Sequence, residues 1–379
     1  MWLNDEGRGV PDPLILCDAH GWFTLAGGRP EGGATSSLGP SLERIRYERA
    51  VHAGANGADY ASVNGMTSEV DGLARWAKRS PVSTRCNVSE GDKGIESLTI
   101  EAKNLDPLPL GGPFDLQLET AYRHSPQPKG GVFSISTSLL VRTRSPQMEG
   151  WQSHQQTHRM IQDLMCLVYG KPCEARLISV MRDDDQGGVP TDERRHWREA
   201  YQPSFGRDVD PEHQMGDEDR PLFHLDEANP DLVAAWLSEY EYWARPLWIA
   251  ISTVFHRRIP VESQLLQVAV ALEALGYAIA KRATPDRKIS LRFTELLQEI
   301  FNAVGYEPAA VVGEAGSAET WCAAFNTAYK GVKHADNDLT DPLEAFTRMR
   351  EGLLLIRCWL ASALGVSKEL VVERLNLGL

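Results

Sequence analysis

The sequence predicts an α+β protein: an N-terminal β-rich domain with a mixed or antiparallel sheet over 1–181, then an all-α helical bundle over 229–379. Three observations carry this reading. Short alternating or β-branched runs fill the first half, interrupted by only two unevenly placed helical patterns, which argues against repeated βαβ units. From Asn229–Pro230 onward the apolar residues recur at helical spacing. Between the halves, residues 182–228 have no sustained apolar period, and from Asp183 to Glu227 they carry 14 acids and 5 bases, the profile of an acidic linker or insert.

The elements follow in order. Residues 13–18 (PLILCD) and 21–27 (GWFTLAG) flank a polar turn and read as a hairpin. Runs at 43–51, 97–103, 115–122, 132–144 and 175–181 supply further strands. One helix is expected from an N-cap at Ser68 to Lys78, and another over 151–169 ahead of Gly170. Inside the acidic segment, 192–201 (DERRHWREAY) reads as a short helix. The bundle opens at Asn229, which can cap free amides, with Pro230 suited to the first turn. Pro246 is expected to kink or end that helix near Arg245. Helices at 261–281, 290–304 (closed by Gly305), around 321–334, from 341–342 to before Gly365, and at 368–375 complete the bundle.

A chain of 379 residues, 42% hydrophobic and 24% charged, can bury one large core or two ordinary ones. No apolar run reads as long enough to span a bilayer, and the charged N-terminus lacks a signal-peptide core. The six cysteines include no Cys-x-x-Cys pair, so the expectation is reduced thiols, a cytoplasmic location and no membrane partner. A net charge of −13 argues against a general polyanion-binding surface. Most of that excess sits in 182–228, so a local basic patch elsewhere can still hold nucleic acid.

The stretch 325–338 (FNTAYKGVKHADND) has the strongest chemical pattern. Read as a helix, it puts Trp321, Phe325, Ala328 and Val332 on one apolar stripe and Asn326, Lys330, Lys333 and His334 on the opposite side. An amide, two ammonium groups and an imidazole together can grip a phosphate and move a proton near neutral pH; the plainer reading is a solvated face. Glu273 is the only charge between Gln264 and Ala280, so it is expected to be buried and paired. Its partner is either Lys330, Lys333 or His334, or an arginine inside the bundle. Lys281, Arg282, Arg287, Lys288 and Arg292 form a basic run that reads as a phosphate-tracking patch or as a solvated loop and helix start. His154 and His158 are one helical turn apart, but Gln-Gln-Thr lies between them and no third ligand is evident, so no metal is expected. The loop 27–39 lacks the Gly-Lys-Ser/Thr ending that cradles nucleotide phosphates, and no cofactor is expected. The aromatic residues of 236–248 read as core or dimer contacts.

LEALG (272–276), the surrounding helices and KHAD (333–336) together resemble the Apea-like HEPN domain. LILCDAHGWFTLAGG (14–28) and SVNGMTSEVDGLARW (62–76) resemble the N-terminal domain that accompanies it in bacterial abortive-infection proteins. The resemblance implies an antiphage effector that cuts cellular RNA, tRNA included, without a metal and as a homodimer. It also implies a β-rich sensor domain and a phage protein as trigger. The family motif is Arg, a polar residue and His, with four to six residues between Arg and His. The corresponding positions here are Thr327, Ala328 and Tyr329, none of them basic, and only His334 carries over directly. Lys330 or Lys333 would stand in for the Arg. The alternative implication is a degenerate HEPN fold that binds nucleic acid or a phage protein and signals through its dimer.

Overall fold

The computed structural model describes residues 10–19, 21–34, 42–53, 58–88, 95–125, 133–185, 197–207, 209–210, 215–256, 258–286 and 288–378. The first half forms one nine-stranded sheet and two separate hairpins. Its strands are β1 (Leu14–Asp18), β2 (Gly21–Ala26), β3 (Arg29–Ala34), β4 (Leu42–Arg46), β5 (Arg49–Ala53), β6 (Ser62–Val70), β7 (Val82–Val88), β8 (Ile95–Ala102), β9 (Leu108–Pro109), β10 (Gln117–His124), β11 (Ile135–Gly150), β12 (Ala175–Met181) and β13 (Trp197–Tyr201). The large sheet runs β1-β2-β5-β13-β12-β6-β11-β10-β9, and every neighbouring pair is antiparallel. The expected hairpin at 13–27 is present, with Leu14 opposite Leu25.

Several local readings give way to tertiary pairing. The run 43–51 divides into β4 and β5, and 97–103 joins β7 in a hairpin outside the main sheet. Ser68 does not cap a helix. It lies fully buried in β6, where its hydroxyl meets His158 Nδ1 at 2.6 Å, and the helix α1 (Leu73–Ala77) starts after Gly72 instead. Its neighbour Glu69 is held in the sheet as well: Ser138 hydrogen-bonds it and Arg176 reaches it at 2.8 Å.

The segment 182–228 is not a linker over its described residues. Residues 197–201, expected to be helical, form β13 and bridge β5 to β12 in the middle of the sheet, while 192–196 lie outside the described residues. Phe205, Leu222 and Phe223 are fully buried. Its acids are matched nearby: Arg182 forks onto Asp184 at 2.8 and 2.7 Å and reaches Asp59 at 2.6 Å. Asp185, buried, accepts from Tyr60 and from Arg198 Nε at 2.9 Å. Local neutralisation lets a strongly acidic sequence fold into the sheet.

Helix α2 (Trp151–Tyr169) lies across β6, β11 and β12 and is buried along nearly its whole length, because the helical half packs on its other side. That half comprises α3 (Pro230–Ser238), α4 (Tyr240–Phe255), α5 (Val261–Ala283), α6 (Phe293–Val304), α7 (Ala309–Val312), α8 (Ala318–Lys333), α9 (Pro342–Ala363) and α10 (Lys368–Asn376). Asn229 caps α3 as expected, its Oδ1 accepting from Asp231 N–H at 2.9 Å. The break comes at Glu239, however, and Pro246 is accommodated within α4. Trp236, Tyr240 and Trp243 are core residues, with Trp243 packed 4.9 Å from Trp359. Helix α5 runs through the bundle between α4, α6, α8 and α9. It is, contrary to the sequence reading, long and apolar enough by composition to cross a bilayer, and half of that stretch is packed inside the protein.

Gly276 on α5 sits where a Cβ would fall on the Leu296 backbone carbonyl of α6. Helix propensity alone favours Ala over Gly by about 1 kcal/mol, but here the added methyl must push α5 and α6 away from each other. Gly276→Ala should therefore lose about 1–2 kcal/mol net in urea unfolding. An unchanged or higher midpoint would mean that the helices separate without strain.

The buried histidines form a hydrogen-bond chain. Thr143 Oγ1 lies 2.9 Å from both His154 Nδ1 and His158 Nε2. Burial pushes His154 down to about 4 and His158 to about 3, the nearby His154 adding to the latter. Between these values and the ordinary 6.5, the unfolded chain binds more protons than the folded one, so stability is full above about pH 6.5 and falls as pH drops toward 4. The urea midpoint should be lower at pH 5 than at pH 7, with a smaller drop in His158→Gln. Equal drops in both proteins would assign the effect elsewhere.

Candidate functional site at the end of the eighth helix

Helix α8 begins at the N-cap Ser317, whose Oγ accepts from Thr320 N–H at 3.2 Å. Its apolar stripe is the one expected. Trp321, Phe325 and Ala328 are buried and Val332 packs against the same core. Trp321 stands edge-on to Phe301 at 5.5 Å and donates its Nε1–H to Glu351 at 2.8 Å. On the other side, Asn326 is half-buried and Lys330 and Lys333 are exposed.

His334 is not on that face. The helix ends at Lys333, and His334 is its C-cap, with extended backbone angles of −115° and 123°. The following loop takes over the last carbonyls: Asn337 Nδ2 donates to Lys330 O at 3.2 Å and Thr340 Oγ1 to Ala328 O at 2.7 Å. These side chains take the place of a C-terminal glycine and draw the backbone out of the helix. His334 is exposed directly beyond the turn that carries both lysines.

Lys333 is the ordered cation of the pair. Its Nζ donates to the Tyr329 hydroxyl at 2.8 Å and lies 4.9 Å from the ring centroid. The hydrogen bond to Tyr329 raises its pKa above the ordinary lysine value, and Glu273 adds to the effect from α5. Tyr329 is itself buried, 5.1 Å from the Phe293 ring. From sequence Tyr329 is visible only as a non-basic position of the motif, although its i, i+4 spacing from Lys333 is a usable signal of their pairing.

Glu273 corrects the expectation of a buried, paired carboxylate. It is exposed on α5, between outward-facing Val270 and Tyr277, and makes no ion pair among the described residues. It stands near enough to Lys333 for the two charges to interact.

The five-base run is only partly a patch. Arg282 forks onto Glu239 and lies 5.4 Å over the Trp243 ring, which commits it to the α4 junction. Arg292 pairs with Glu295 at 2.7 Å in a box that starts α6. Lys281 Nζ donates to Pro285 O at 2.5 Å, Lys288 is exposed, and Arg287 lies outside the described residues. The contact of Phe293 with Tyr329 nonetheless brings the start of α6 alongside the end of α8.

Two family models match this architecture. Residues 3–238 match ApeA N-terminal domain 1, and residues 266–370 match the Apea-like HEPN domain. The first match runs through the acidic segment and α3, in keeping with the place of β13 in the sheet. No curated protein and no solved structure matches the chain. With the larger of the two matches covering well over half of its residues, the chain belongs to the ApeA family, in which ApeA N-terminal domain 1 is followed by an Apea-like HEPN domain.

Proposed function

We propose that the protein is an antiphage abortive-infection effector, a HEPN-type metal-independent endoribonuclease that cuts cellular RNA, tRNA included. The observation that supports this reading best is the exposed His334 beside a turn carrying Lys330 and Lys333, with Lys333 docked on Tyr329. Tyr329 occupies one of the positions where the family motif has Arg, so the docked ammonium returns a positive charge to that turn. In the reaction the RNA 2′-hydroxyl attacks the adjacent phosphate, His334 takes or returns the proton, and Lys333 stabilises the pentavalent phosphate. A helix C-terminus repels anions, so the two lysines are also what makes phosphate approach tolerable there. Lys lacks Arg's planar fork, and slower cleavage than with an Arg motif follows. Incubating the protein with total RNA and with tRNA, with and without EDTA, tests the reading. EDTA-resistant cleavage that leaves 2′,3′-cyclic phosphate ends is expected.

The second reading, a degenerate HEPN module that binds without cutting, draws on Thr327, Ala328 and Tyr329 standing where the family motif has Arg. Persistent absence of cleavage with a phage lysate present would favour it. In either reading the N-terminal sheet is the sensor and the bundle forms the homodimer. The exposed α5 stripe of Val270 and Tyr277, flanking Glu273, supports an interface next to the site. Light scattering should give twice the 42.0 kDa chain mass at micromolar concentration. A monomer mass would remove the composite-site component of the proposal.

A further inference from the structure

A cavity of about 950 Å³ opens between the C-terminal end of α2 in the sheet module and α4, α7 and α9 of the bundle. That is ample room for a nucleotide-sized ligand. Its charged lining is one-sided. Lys171, Arg350 and Arg357 face it against a single carboxylate, Glu351, which is already engaged by Arg348 at 2.6 Å. Lys171 is paired with Asp219. The two arginines are not paired: no carboxylate lies within ion-pair distance of either among the described residues.

Arg357 is the unusual group. Its Nε and Nη2 donate to Leu167 O at 2.8 Å and Val168 O at 2.9 Å, the last-turn carbonyls of α2. A guanidinium has five N–H donors, and these are the two bonds it makes to described residues. Burial pushes its pKa down to about 10, so it stays charged at neutral pH with only carbonyl dipoles for compensation. A half-buried guanidinium with no carboxylate beside it, on the wall of an open cavity, is a seat for an anion. Arg350, two turns earlier on α9 and exposed at the cavity mouth, has its guanidinium 5.6 Å from the Phe346 ring centroid, and Val254 and Leu354 offer apolar wall.

We propose that this cavity binds an organic phosphate of nucleotide size, the phosphate on Arg357 and Arg350 and the organic body on the apolar wall. Arg is suited to the phosphate by its fork of donors. The site is separate from the α8 turn and touches both modules, so occupancy ties α2 to α9. It does not depend on the nuclease reading.

ATP, adenosine and inorganic pyrophosphate serve as probes in thermal unfolding of the full chain. At a hundredfold excess over Kd, ATP should raise the midpoint by roughly 4 °C, pyrophosphate less, and adenosine not at all. Arg357 is left intact because it also ends α2. Arg350→Glu reverses the mouth charge and Thr347→Trp fills the cavity from the surface of α9. Neither side chain is buried in the core, so the basal midpoint should hold while the ATP shift disappears. No shift with ATP at millimolar concentration would overturn the proposal. So would a shift that both variants retain, since that places the phosphate elsewhere.

Discussion

Asp163→Ala should cost about 3 kcal/mol of stability, a large loss for a single polar side chain. Asp163 is buried on α2 and accepts from Arg207 Nε at 3.1 Å and from the hydroxyl of Tyr240, the first residue of α4. Tyr240 in turn accepts the Trp248 Nε1–H at 2.8 Å. Removing the carboxylate leaves a guanidinium and a phenol without their acceptor, and the desolvation of both is then uncompensated. Arg207 is partly exposed, which keeps the loss at the lower end of the range for buried pairs. Asp163→Asn preserves shape and one acceptor, so it should lose less. Denaturant unfolding of the three proteins checks this. A loss within about 0.5 kcal/mol for Asp163→Ala would mean that water replaces the carboxylate.

His334→Ala should reduce RNA cleavage about 100-fold while changing stability by at most about 0.5 kcal/mol. The stability half rests on exposure: the residue is a C-cap whose backbone N–H, not its ring, bonds Lys330 O at 3.0 Å. The catalytic half rests on imidazole being the side chain suited to proton transfer in both directions near neutral pH. Lys333→Ala should lower cleavage more than Lys330→Ala, because only Lys333 is held in place, on Tyr329. Lys330→Arg should preserve or raise cleavage, since Arg grips phosphate with two donors. Single-turnover rates with a tRNA substrate decide. Full activity in His334→Ala would end the mechanism proposed above.

Where the sequence was legible, local chemistry and tertiary packing agreed. Asn229 and Pro230 start α3 with the cap expected of them, and the Trp321 to Val332 stripe is buried as its spacing requires. The misreadings have a common physical origin in partners distant in sequence. Ser68 looked like a cap, yet its partner is His158, ninety residues away. The 192–201 run has charges suited to a helix, but Ala200 and Tyr201 are claimed by β5 across the sheet. His334 fits a helical face until Asn337 and Thr340 take the carbonyls beneath it. Glu273 is the reverse case: an apolar helix suggested burial all round, whereas α5 presents one side to solvent.

The position of α2 sets a limit on how such a protein can be switched. Its inner face belongs to the sheet and its outer face to α4 and α9, so the two modules have a wall in common and not a hinge between them. Cutting the chain at residue 229 would strip that wall from whichever piece lacks it and expose its apolar surface. An isolated bundle should then aggregate when expressed, not run free as a constitutive toxin. Any signal arriving at the sheet must travel as strain through a shared interior, with sub-ångström repacking of α2 against α4 and α9, instead of by releasing a tethered effector.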